Sequence, residues 1–268
     1  MTTWVLLRGL MRETRHWGDF PPRLAAALGG AQVVAIDLPG NGRANALPSP
    51  TRVEATVDYA RRELAARGCT PPYVPVALSL GGMVAACWAA RHDGELAGGV
   101  LINTSLRPFS PFYRRLRPAR YPILARLALC GGDGARWENA IFDITSRRPA
   151  LRDACLGAWI AWRGEHPVSR RNALCQLVAA ARYAAPLTAP ACALLVLASG
   201  GDALVDPACS RTLAARWNTA YAEHPDAGHD LPLDDSAWVV EEIVKWSRAA
   251  GVPRATGTAG IRRDDGGR

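Results

Sequence analysis

The chain has 268 residues, 49% of them hydrophobic and 21% charged. That is enough apolar side chain to bury a sizeable core, and too globular a composition for wholesale disorder. The formal net charge is +8, but 14 arginines against 5 acids fall between Ser105 and Pro190 while the rest is nearly neutral. A uniform nucleic-acid-binding coat is therefore excluded, and no nucleic-acid partner is expected.

Thr3 to Leu7 (TWVLL) predicts a buried strand, and an Ala/Leu helix from Trp17 to Leu28 ends at Gly29-Gly30. Gln32 to Leu38 is a second strand, stopped by Pro39-Gly40-Asn41-Gly42. Thr51 to Arg67 is an amphipathic helix with Val53, Val57, Ala60 and Leu64 on one face. Val74 to Leu78 is a third strand, with Pro75 expected at its first residue because proline donates no ladder hydrogen bond. A helix follows from Leu80 to about His92, then a fourth strand from Gly98 to Asn103.

From Ser105 to Pro190 no strand is predicted. Leu151, Cys155, Trp159 and Trp162 recur at helical spacing, as do Leu174, Leu177, Val178 and Ala181. The alternation resumes with a strand at Ala193 to Ala198, a helix near Pro207 to Trp217, a strand at Thr219 to Glu223 and a helix from Asp234 to Ala249. The expected division is an α/β core over residues 1–104 and 191–250, a helical cap over 105–190 and a flexible tail over 251–268. Such alternation implies a mostly parallel sheet flanked by helices, with ligands at the carboxyl ends of the strands.

Seven cysteines, none closer than 17 residues to another, form no CxxC pair and read as small buried residues of a reducing compartment. The uncharged run Cys69 to Ala90 is interrupted by Pro71, Pro72, Pro75 and Gly81-Gly82, so it reads as strand, turn and helix and not as a membrane span. The apolar run Trp4 to Leu7 is too short for a signal-peptide core, and a cytoplasmic location is expected.

Three loops at strand ends carry chemistry. Ala77-Leu78-Ser79-Leu80-Gly81 places a serine between strand and helix with small residues on either side, the pattern of a nucleophile elbow with Ala77 in place of the first glycine. Ser199-Gly200-Gly201-Asp202 follows the fifth strand, and Asp206 lies four residues on as a competing carboxylate. His229, after Gly228, follows the sixth strand. His16, His92, His166 and His224 have no comparable placement and read as solvated loop or helix positions.

The order Ser79, Asp202, His229 resembles that of the α/β-hydrolase family. The resemblance extends from about Thr3 to Ala249. Asp37-Leu38-Pro39-Gly40-Asn41-Gly42 is similar to the family's D-x-P-G-x-G, and Arg8-Gly9-Leu10 occupies its His-Gly-x oxyanion loop, with Trp17 at a position where many members have tryptophan. The first family strand or two are not seen, the chain starting at the strand before the oxyanion loop. The resemblance implies an α/β-hydrolase fold with a helical cap and a catalytic Ser79, His229 and Asp202, and the backbone N–H groups of Leu10 and Leu80 as oxyanion donors. Arg8, where the family usually has histidine, would either contact an anionic end of a substrate or be solvated.

The implied reaction is hydrolysis of a small-molecule carboxylic ester or thioester through an acyl-enzyme, with no cofactor or metal. The aromatic residues of 105–190 (Phe109, Phe112, Tyr113, Tyr121, Trp137, Phe142, Trp159, Trp162) pack the cap and in part line an acyl pocket. The arginines at 107, 114, 115, 117 and 120 have no acid among them. They form either a solvated face or a docking surface for an acidic acyl carrier protein or a CoA thioester, an alternative that fits a similarity to carrier-protein methyl ester esterases. A cofactor-free lyase of the same fold is the other alternative.

Overall fold

The computed structural model describes residues 2–130 and 133–253, with backbone alone at 128–130. Six parallel strands form one sheet: β1 (Thr3–Leu7), β2 (Gln32–Ile36), β3 (Tyr73–Leu78), β4 (Gly99–Ile102), β5 (Leu194–Ser199) and β6 (Ala220–His224), in the order β2-β1-β3-β4-β5-β6. The expected tail lies outside the described residues from 254 onward.

Strand composition follows from position. β1, β3, β4 and β5 are buried along their whole length and read as continuous apolar runs, because helices cover both faces. Successive residues feed opposite layers. Val5, Leu7, Ala77, Leu101 and Val196 join one cluster with α2 (Val53–Ala66), α3 (Leu80–Arg91) and α9 (Ala208–Trp217). Trp4, Leu6, Val76, Val100, Ile102 and Leu197 join the other with α1 (Phe20–Ala27) and α11 (Ser236–Ala249). Edge strands β2 and β6 are only partly buried.

Pro75 is the third residue of β3 and not its first. Its register with β1 is unbroken, but pairing with β4 starts one residue later, at Val76↔Val100. Proline's missing N–H thus falls outside the β3–β4 ladder.

Between β4 and β5 the described residues contain helices and no named strand: α4 (Phe112–Arg115), α5 (Tyr121–Cys130), α6 (Gly134–Thr145), α7 (Arg152–Glu165) and α8 (Arg170–Arg182). A four-residue α10 (Leu231–Asp234) precedes α11. Phe142 and Trp159 pack together between α6 and α7. Phe112 and Tyr113 are exposed, at 73% and 49%.

The face of α8 corrects the apolar spacing read from the sequence. Leu174 and Leu177 point to solvent, while Asn172, Gln176 and Ala179 are buried. Asn172 Oδ1 accepts from Ser49 N, and its Nδ2 donates to Asn45 O and Leu47 O. Gln176 Oε1 accepts from Met11 N, and its Nε2 donates to Asn41 Oδ1. The loops after β1 and β2 have backbone groups with no strand partner. Buried amides satisfy them where leucines could not.

Candidate active site

Every expected site residue lies at the carboxyl edge of the sheet. Ser79 follows β3 with φ +56° and ψ −115°, a conformation that a non-glycine residue adopts only under tight local constraint. The crowding is visible around it. A Cβ on Gly81 would sit 2.3 Å from Leu7 O, and one on Gly82 would sit 2.6 Å from Thr104 Cβ. Ser79 N donates to Ile102 O at 2.9 Å, and Thr104 Oγ1 donates to Ser79 O at 2.8 Å. The serine is partly exposed at the start of α3, where the helix dipole favours negative charge.

The loop after β1 lies against it. A Cβ on Gly9 would be 3.1 Å from Ser79 Cβ and 3.6 Å from Ser79 Oγ. Among the described residues, the N–H groups of Leu10 and Leu80 donate no hydrogen bond to a backbone or side-chain acceptor. Met11, held at φ +54°, is pinned by Gln176.

Asp202 and His229 are both buried. His229 Nδ1 lies 2.7 Å from Asp202 Oδ2, so the ring proton on that side sits on Nδ1 and donates to the carboxylate, leaving Nε2 free to accept. Asp202 Oδ1 accepts from Leu204 N and Val205 N, at 2.8 and 2.9 Å. No hydrogen bond joins His229 to Ser79 among the described residues. Asp206 points elsewhere: it accepts from Ala208 N and faces Arg114 and Arg117 at 3.9 and 4.0 Å. Of the two competing acids, the structure brings Asp202 to the histidine.

The His229 loop is fastened on several sides by groups that single-residue motifs do not reveal. Asn103, at φ +46°, donates through Nδ2 to His229 O at 2.9 Å and to Ser199 Oγ. Asp234 accepts from Gly228 N, Arg147 N and Ser146 Oγ, and its burial pushes its carboxyl up from the ordinary aspartate value. Asp230 N donates to Thr145 O at 2.8 Å. A neutral amide directly after β4 (Asn103) and acids following the histidine (Asp230, Asp234) were the only available signals.

Several readings of single residues are overturned by burial. Arg8 is 2% exposed and forms a bidentate pair with Asp230, so it is neither solvated nor free to meet an anion. His16 and His224 are buried and not solvated. His16 Nε2 accepts from Arg12, and burial with the Arg12, Arg8 and Arg15 charges holds its pKa well below the usual imidazole range. His224 accepts from Ala227 N and faces Asp235. Cys155, Cys175 and Cys192 are only half-buried. The basic segment is not an acid-free face. Arg114 and Arg117 flank Asp206, Arg115 donates to Ala180 O, and Arg120 donates to Ala203 O. Among the described residues no three potential ligands cluster as a metal site, and no helix is long and apolar enough to cross a membrane.

A parallel sheet with a strained serine after a central strand, and an acid and a histidine after the last two strands, is the architecture of an α/β hydrolase. The chain belongs to the α/β hydrolase family, whose model matches residues 4–242. The fold is similar to that of an esterase from Thermogutta terrifontis (TM-score 0.73, 23% identity, covering 93% of this chain and 90% of that one). It is similar also to the esterase RhEst1 from Rhodococcus sp. ECU1013 (0.75, 20%, 93% and 91%). A third similar structure is the enol-lactonase from Burkholderia xenovorans LB400 (0.75, 18%, 92% and 91%). No curated protein matches the chain significantly.

Proposed function

We propose that the protein hydrolyses a small-molecule carboxylic ester, or a thioester, through an acyl-enzyme on Ser79. His229 removes the Ser79 proton as the hydroxyl attacks the carbonyl carbon. Asp202 holds the imidazole tautomer and stabilises the imidazolium. The N–H groups of Leu10 and Leu80 receive the tetrahedral oxyanion. The imidazolium then returns its proton to the departing alkoxide or thiolate, and water, deprotonated by His229, cleaves the acyl-enzyme. The buried 2.7 Å contact between Asp202 and His229 carries this reading, because it leaves Nε2 as the basic nitrogen. Residues 105–190 act as the cap over a core formed by 1–104 and 191–250.

The test is covalent labelling. A fluorophosphonate should modify the protein at Ser79, and Ser79→Ala should abolish both labelling and turnover of p-nitrophenyl acetate. Labelling at another residue would refute the assignment.

A second reading takes an acyl group delivered by an acidic carrier or as a CoA thioester. It draws on the exposed Phe112 and Tyr113 beside the half-exposed Arg114 and Arg117.

A further inference from the structure

Arg8 and Asp230 are 222 residues apart, yet they form a bidentate pair: Nη1 donates to Oδ1 at 3.0 Å and Nη2 to Oδ2 at 2.5 Å. The two side chains are 2% and 4% exposed. The guanidinium carbon lies 4.9 Å from the centre of the Trp17 ring, which closes one of its faces.

Stability alone is a poor reason for such a pair. Taking two charges out of water costs roughly what their attraction returns, and apolar replacements of similar volume are often neutral or stabilising. A bidentate guanidinium–carboxylate contact does supply a fixed distance and a fixed plane.

What it fixes is specific to this chain. Arg8 precedes Gly9, whose backbone lies against Ser79, and stands two residues before Leu10. Asp230 follows His229, and its own N–H is anchored on Thr145 O. One ion pair therefore spans the gap between the loop after β1 and the loop after β6. Among the described residues its two hydrogen bonds are the only side-chain ones between residues 8–10 and 228–230.

We propose that Arg8 and Asp230 are positioning residues that hold the Leu10 N–H and the His229 imidazole in a single alignment about Ser79. The proposal rests on the serine-hydrolase reading. The pair does not touch the reacting atoms. It acts through the backbone of the two loops, so its loss should lower the rate of acylation while leaving the affinity for a small neutral ester nearly unchanged. Displacements of about 1 Å at such groups cost on the order of 100-fold in rate.

Three variants separate positioning from plain stability. Arg8→Met strands the Asp230 charge and should lower the urea midpoint. Arg8→Met combined with Asp230→Leu removes both charges and should restore the midpoint. Arg8→Lys keeps the charge, loses the fork and covers the case in which the double variant fails to fold. For each, kcat and KM for p-nitrophenyl acetate are measured along with the rate of fluorophosphonate labelling.

The expected result is a double variant with restored stability whose kcat and labelling rate stay about 10–100-fold down, the range seen when groups that orient a reactive ligand are removed, with KM within about twofold. Arg8→Lys should show the same split. Recovery of kcat together with stability would overturn the proposal and leave the pair a structural element. A raised KM with unchanged kcat would overturn it differently, by making Arg8 a contributor to substrate binding. If the unmodified protein is not labelled at Ser79, the underlying hydrolase reading falls first, before any variant is compared, and the positioning role falls with it.

Discussion

Asp202→Asn is the sharpest probe of the proposed chemistry, because the structure separates the two oxygens of this carboxylate. Oδ1 holds the turn by accepting from Leu204 N and Val205 N, and Oδ2 faces His229 Nδ1. An asparagine can keep its amide oxygen on the two backbone N–H groups. Its NH2 then replaces Oδ2 and can only donate. The imidazole must answer with an unprotonated Nδ1, which moves the ring proton to Nε2 and removes the basic nitrogen from Ser79. Loss of that tautomer in serine hydrolases lowers kcat about 10⁴-fold, equivalent to about 5.5 kcal/mol of transition-state stabilisation. The fold should survive, since the hydrogen bonds that shape the turn are retained. Asp206→Asn is the control. Its Oδ1 bond to Ala208 N is equally available to asparagine, and its arginine partners are near-surface pairs worth at most about 1 kcal/mol. Steady-state turnover of p-nitrophenyl acetate, with urea midpoints for both variants, reads the comparison. A larger loss in Asp206→Asn would refute the choice of acid. A turnover loss in Asp202→Asn that merely tracks unfolding would refute the tautomer argument.

The carrier reading predicts that Arg114→Gln with Arg117→Gln lowers kcat/KM for a CoA-linked acyl group, with the loss shrinking at high salt, while a neutral ester is unaffected. Glutamine is preferred to charge reversal because Asp206 lies 3.9–4.0 Å from both arginines and would repel new acids; equal effects on both substrates would assign these arginines to structure. His16 gives a stability prediction. Its folded pKa is depressed by burial and by Arg12, Arg8 and Arg15, so below about pH 6.5 the unfolded chain binds a proton that the folded one does not. Its contribution is therefore present above about pH 6.5 and lost as pH falls, by up to about 1.4 kcal/mol per pH unit. Urea midpoints between pH 7.5 and 5 should fall, and His16→Gln should flatten that slope.

The parallel sheet and the residues at its carboxyl edge were legible in the sequence because they rest on local signals. An apolar run too short for a helix marks each inner strand, and a serine bracketed by Ala77 and Gly81 marks the elbow. What could not be read was anything decided by pairing across the chain. Arg8 looks like an exposed charge until Asp230 is placed beside it. Asn103 looks inert until its amide is seen to hold the carbonyl of His229. In α8 the apolar spacing was present, but backbone groups of distant loops claimed the inner face for Asn172 and Gln176. Propensity and periodicity carry no information about an acceptor more than a hundred residues away.

That inner face of α8 also bears on the order of assembly. The N–H of Ser49 bonds to a side chain 123 residues later, and the N–H of Met11 to one 165 residues later. Loop closure over such separations carries an entropic cost that must be met before the contact rewards it. The strands β1 to β4 can therefore pair while the N–H groups of Met11 and Ser49 are still without their final partners. Those two N–H groups gain their native acceptors only when α8 docks. In the native protein the same two amides should exchange with solvent whenever α8 detaches, whether or not the sheet opens, which would make them reporters of a local opening distinct from global unfolding.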